Sequence, residues 1–192
     1  MLFSFMQLII ITGSPGVGKT TIARILSKKL KAKNLSITNF ILKNKIFEKQ
    51  KGEKVVEIKK LQKLLEKEIK KLRSEKFLII EGHLACELSF SAAKVIVLRR
   101  SLKKLKKEME KRNYSKRKIS DNLILEALDY FGENSRIHYK EVYEVFVKNK
   151  KVTINKILRI LKGEKIDETK IANRIEKEEF VSMLQKNELE LL

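Results

Sequence analysis

Gly13-Ser14-Pro15-Gly16-Val17-Gly18-Lys19-Thr20 follows directly on the apolar run Gln7-Leu8-Ile9-Ile10-Ile11-Thr12. The octapeptide has the spacing G-x-x-x-x-G-K-[ST], in which glycines let the backbone curl until several N–H groups face one anion. The start of the following helix adds its dipole at the same point. The apolar run reads as a buried parallel strand, and Ile22, Ile25, Leu26 and Leu30 recur after the loop at helical spacing. Strand, glycine turn and amphipathic helix in that order are the context in which this spacing cradles the phosphates of ATP or GTP. The expected phosphate-binding residues are therefore Gly13, Ser14, Gly16, Val17, Gly18, Lys19, Thr20 and Thr21. Lys19 is expected to reach the β- and γ-phosphates and the Thr20 hydroxyl to ligate Mg²⁺.

Working outward, Leu61, Leu64, Leu65, Ile69 and Leu72 mark a second amphipathic helix. Residues 77–80 form another apolar run, ending at Glu81-Gly82-His83, and residues 95–98 a third, ending at Arg99-Arg100. Leu102, Leu105 and Met109 predict a helix, and Ile124, Ala127, Leu128 and Phe131 predict a single further one. Tyr143, Val145 and Val147 alternate as a last strand, and Ile154, Ile157, Leu158 and Leu161 close the core with a helix. Strands alternating with helices imply an α/β fold, a parallel sheet flanked by helices. Ligands of such sheets bind at the carboxyl ends of the strands, so the glycine loop and Glu81-Gly82-His83 should converge. An apolar strand ending in a carboxylate beside such a loop also places an acid where the metal's water shell is organised, which makes Glu81 the expected second metal residue, acting through water.

Composition narrows the classes. Hydrophobic residues make up 43% of the 192, which is globular rather than disordered. The single cysteine, Cys86, excludes an internal disulfide and fits a reducing, cytoplasmic setting. No apolar run is long enough to span a bilayer, and the apolar start (Met1-Leu2-Phe3-Ser4-Phe5-Met6) lacks the basic flank of a leader. The net charge of +20 attracts polyanions such as RNA, although a lysine-rich surface is equally a mark of heat-adapted proteins. Only 9 of the 44 basic residues are arginine, which argues against base-by-base readout. Twelve basic side chains fall within residues 94–118, readable as a phosphate- or RNA-binding band or as a solvated helix face. Residues 163–192 carry eight acidic and five basic side chains, so the basic excess lies wholly within residues 1–162. Ile171, Ile175 and Met183-Leu184 suggest helical segments in that acidic tail, which reads as an appendage to a 1–162 domain.

The glycine loop, Glu81-Gly82-His83, Val97-Leu98-Arg99 and Lys111-Arg112-Asn113-Tyr114 together resemble the adenylate kinase isoenzyme 6 family, in the same order over residues 7 to 162. The resemblance implies a P-loop NTPase fold of the nucleoside monophosphate kinase type, with an AMP-binding insert at 36–66 and a short lid at 111–121. It implies Mg-ATP-dependent phosphoryl transfer to AMP with intrinsic ATP hydrolysis. It further implies a part in small ribosomal subunit assembly through a ribosomal protein or pre-ribosomal RNA. Arg112 would correspond to the lid arginine on the phosphates, Lys43 to a basic AMP contact, and Glu81-x-His83 to the family's acid and histidine, His83 orienting an attacking water. The chain departs where the family usually has another arginine, here Glu108, and where its lid glycine is replaced by Asn113, a residue tolerant of left-handed backbone. The AMP-binding segment matches only faintly, which keeps a small-molecule kinase of the same fold as the alternative.

Overall fold

The computed structural model describes residues 6–50, 53–186 and 189. Residues 1–5 of the apolar start and the side chain of Ile171 lie outside the described residues.

β1 (Gln7–Thr12) sits at the centre of a five-stranded sheet because nothing in it needs water: residues 8–12 are all buried. It pairs in parallel with β5 (Phe77–Glu81) on one side and β6 (Ala93–Arg99) on the other, with Ile10 between Ile80 and Val95. β2 (Lys33–Ser36) extends the sheet beyond β5 and β7 (Glu141–Phe146) beyond β6, both parallel, so the order is β2-β5-β1-β6-β7. The register places Glu81 beside Ile11 and Val97 beside Thr12, so the carboxyl ends of three strands meet at the glycine loop.

The period-2 alternation of each strand feeds two cores. Ile9, Ile11, Ile79, Ile96, Leu98 and Val145 face α1 (Lys19–Leu30), α4 (Leu102–Glu110), α5 (Lys116–Ala127), α7 (Lys150–Leu161) and α8 (Thr169–Gln185). Leu8, Ile10, Leu78, Ile80, Val95 and Val97 face α2 (Ile37–Asn44), α3 (Ile58–Lys71), a short 3₁₀ turn (His83–Glu87) and α6 (Tyr130–His138). Residues 36–66 hold α2, the antiparallel hairpin of β3 (Glu48–Gln50) and β4 (Glu53–Val55), and the first half of α3. Sequence periodicity finds neither β2 nor this hairpin, since both are short and polar.

Two expectations are corrected. The apolar spacing from Ile124 to Phe131 is divided between two helices: α5 ends at Ala127, Leu128 is 67% exposed, and Asp129 adopts a left-handed φ of 55°. Asp129 breaks the helix because its carboxylate is drawn inward to Arg99 and Arg136. The acidic tail is no appendage. α8 buries Ala172 and Met183 against α4, α5 and β7, and Glu179 accepts bonds from the Ser101 hydroxyl (2.7 Å) and the Lys103 N–H (3.3 Å) at the start of α4. Among the described residues no helix is long and apolar enough to cross a membrane.

Candidate active site

The loop leaves β1 with Gly13 at φ 127°, Gly16 at φ 87° and Gly18 at φ 109°, all in the region that side chains avoid. At Gly13 a second constraint applies: a β-carbon would lie 2.3 Å from the Leu98 carbonyl oxygen. Gly18 then begins α1, so the first N–H groups of that helix open toward the loop's interior. Val17 anchors the loop from below, fully buried in the core beside α1 and α4.

Lys19 folds back under the loop and donates to the carbonyls of Gly13 (2.7 Å) and Ser14 (2.9 Å). Burial lowers its pKa to about 8, against the pull of Glu81 and Glu126 and with a small push from Arg112. The Thr20 hydroxyl lies 3.2 and 3.3 Å from the two carboxylate oxygens of Glu81, which is 3% exposed at the end of β5. A hydroxyl and a carboxylate at this separation are hard oxygen donors of the kind Mg²⁺ prefers, with phosphate oxygens and water left to complete its shell.

Gly82 is extended, donates its N–H to the Ile11 carbonyl (3.1 Å) and leaves no room for a side chain, since a β-carbon would sit 2.8 Å from Cβ of Ile37. His83 opens the 3₁₀ turn, and its carbonyl accepts the Thr12 hydroxyl at 3.2 Å. Its ring reaches the cleft surface. Desolvation by the surrounding protein, and then the nearby charges of Lys19 and Lys118, lower its pKa to about 4, so the ring is neutral at physiological pH.

These groups surround one cleft of about 480 Å³. It is lined by Gly16, Gly18, Lys19, Thr20 and Thr21 of the loop and α1, and by Glu81, Gly82 and His83 at the end of β5. Arg112, Tyr114, Lys118 and Asn122 also line it, as do Ser36, Thr38 and Asn39. Arg112 lies on the turn between α4 and α5, where Asn113 takes φ 55°, the left-handed conformation that a glycine would otherwise supply.

The structure thus brings together Lys19, Thr20, Thr21, Glu81, His83 and Arg112. It does not bring in Lys43, which is exposed on α2 outside the cleft lining. Ser14 also turns away: its hydroxyl donates to Glu126 at 2.5 Å beneath the loop, leaving its backbone to serve the cleft. Sequence reasoning quoted Tyr114 only as part of a motif, with no role, and missed Asn122 and the short polar residues Ser36, Thr38 and Asn39, which carry no periodic or motif signal. It also missed Glu126, which the predicted helix of Ile124, Ala127, Leu128 and Phe131 puts on its polar side, whereas the face α5 buries is that of Ile119, Leu123 and Glu126.

Residues 9–141 match the AAA domain family. A relative from Pyrococcus furiosus is 36% identical over 157 residues, covering 81% of this chain and 84% of the relative. Another from Methanocaldococcus jannaschii is 33% identical over 162 residues, covering 82% and 87%. Both bear the name "Putative adenylate kinase". Among solved structures, shikimate kinase from Acinetobacter baumannii in complex with shikimate superposes with a TM-score of 0.60 at 19% identity, covering 86% of this chain and 98% of that one. The shikimate kinase from Bacteroides thetaiotaomicron gives 0.55 at 14%, covering 81% and 98%. At those identities the structural likeness speaks for the fold, an α/β P-loop kinase. The sequence relatives decide the rest: the chain belongs to an adenylate-kinase-like family of P-loop kinases.

Proposed function

We propose that the protein transfers the γ-phosphoryl group of Mg-ATP to AMP and slowly hydrolyses ATP when no acceptor is bound. The observation that carries this reading is the convergence of Lys19, the Thr20–Glu81 pair and Arg112 on a single cleft. Phosphoryl transfer asks the protein for positioning and charge neutralisation rather than covalent chemistry. The loop amides and Lys19 hold the β- and γ-phosphates, and Arg112, which lines the same cleft, meets them as charge moves toward the leaving oxygen. Thr20 would hold Mg²⁺ directly and Glu81 through water, and the metal when bound would screen the phosphate charge. Ser36, Thr38 and Asn39 are assigned to the acceptor in preference to Lys43, because they line the cleft. His83, neutral and lining the cleft, would orient an attacking water by hydrogen bond where AMP is absent.

The shikimate kinase likeness concerns the fold alone and does not favour a small-molecule acceptor. The ribosomal partner expected from the resemblance has no counterpart in the relatives' names.

The test is ADP formation from Mg-ATP with AMP, CMP, UMP, shikimate or no acceptor, for wild type, Lys19→Met and His83→Ala. AMP should give the fastest turnover, and Lys19→Met should lower it by roughly a hundredfold or more. His83→Ala should depress acceptor-free hydrolysis far more than transfer to AMP. Equal rates with every acceptor and with none would overturn the acceptor assignment, and an unchanged ratio in His83→Ala would remove His83 from hydrolysis.

A further inference from the structure

Beneath the loop, away from the cleft, lies a buried ionic cluster. Arg99, 1% exposed at the end of β6, pairs with Asp129, with Glu144 (2.6 Å) and, through Nε, with Glu126 (3.3 Å). Arg136 reaches Asp129 (3.2 Å) and Glu144 from the rim. Replacing such a cluster with well-packed hydrophobes is often neutral for stability, so stability alone does not explain it.

Glu126 differs from the other two acids. It is fully buried, and its carboxylate also accepts the Ser14 hydroxyl (2.5 Å) and the Arg100 N–H (3.3 Å). Ser14 in turn presents one of the two carbonyls on which the Lys19 ammonium rests (2.9 Å). Arg100 reaches the loop a second time, Nη1 donating to the Gly16 carbonyl at 3.2 Å. A continuous polar path therefore runs from Glu126 through Ser14 to Lys19, and a side path through Arg100 to the loop's crest. Glu126 also sits on the helix whose earlier turns line the cleft with Lys118 and Asn122. One helix thus both bonds to the loop and lines the cleft.

We propose that Glu126 is a positioning residue for phosphoryl transfer: by clamping Ser14 it sets where Lys19 stands relative to helix α5 and its cleft-lining side chains. The proposal rests on the reading that this loop holds the phosphates of ATP. A hydrophobic side chain could fill the same space but could not hold the Ser14 hydroxyl.

The experiment compares Glu126→Gln, Ser14→Ala, the double variant and Glu144→Gln by Tm, by the Kd of Mg-ATP and by kcat and KM. Glu144 belongs to the same cluster but does not contact the loop. Glu126→Gln and Ser14→Ala should each lower kcat by roughly tenfold to a hundredfold, with KM for ATP changing less, as small displacements at a transfer site do. The double variant should be no worse than the poorer single one, because both cut the same link. Glu144→Gln should lower Tm while kcat stays within about twofold, outside the range of a positioning loss. Multiplying losses in the double variant, or a loss of Tm in Glu126→Gln with kcat intact, would overturn the proposal. Should Glu126→Gln fail to fold, Ser14→Ala decides alone: it leaves every ion pair in place, and a wild-type kcat there would overturn it. Failure of the wild type to bind Mg-ATP would instead refute the kinase reading, and this proposal with it.

Discussion

Lys19 is a loop residue whose chemistry is strongly altered by its surroundings. Its ordinary pKa of 10.5 falls to about 8 because the ammonium is drawn from water under the loop. Below that value it is charged and suited to phosphate; above it the neutral amine loses the attraction. The pH profile of kcat/KM for ATP, which reports the free enzyme, should be level up to about pH 8 and fall about tenfold per pH unit beyond. His83, held at about 4, adds no limb near 6.5. A profile level to pH 10 would show that the lysine is not desolvated in this way. At this scale the motif residues were legible because a phosphate loop is a local object, eight residues that need only a strand and a helix around them. The Ser14–Glu126 bond was not, because its partners are 112 positions apart and no local pattern announces it.

Among the elements, α8 departs furthest from expectation. The acidic excess of residues 163–192 lies outside this helix, which carries three acidic and three basic side chains. Met183, only 2% exposed, lies in the core with residues of α4 and α5, and Ala172 is fully buried. Truncating a buried methionine costs about 2–5 kcal/mol, so Met183→Ala should lower Tm by at least about 5 °C in a domain of this size. Val181→Ala, on the exposed side of the same helix, should shift it by less than about 2 °C. Equal small shifts would restore the tail to an appendage. The central strands and α1, α3, α4 and α7 were legible from apolar period alone. The α5–α6 break was not, because the spacing runs on through Leu128 and only the long-range pull of Arg99 on Asp129 ends the helix.

Over the whole molecule, the charge of +20 is a property of the surface more than of the site. α4 buries Leu102, Leu105 and Met109 and turns Lys103, Lys104 and Lys107 outward. This arrangement suits a hydrated helix face and a polyanion contact equally. A homopolymeric RNA binding here should lose affinity steeply with salt. Changing Lys103, Lys104, Lys106 and Lys107 together to Gln should flatten the log–log slope by nearly one for each phosphate contact removed. An unchanged slope would make the band an adaptation of the surface to its solvent. Composition revealed the size of the field but not its direction, which depends on the packing of α4 against the sheet.

The bond between Ser14 and Glu126 also has a consequence in time. A chain grows from its amino end, at about 5–20 residues per second. The glycine loop is therefore synthesised on the order of ten seconds before the carboxylate that completes its hydrogen bonds. Until α5 has been made and has docked, a nascent chain carries the loop's full motif without its finished geometry. If that bond sets the loop's geometry as proposed, nucleotide capture should begin only late in translation, although the residues that perform it are among the first to be made.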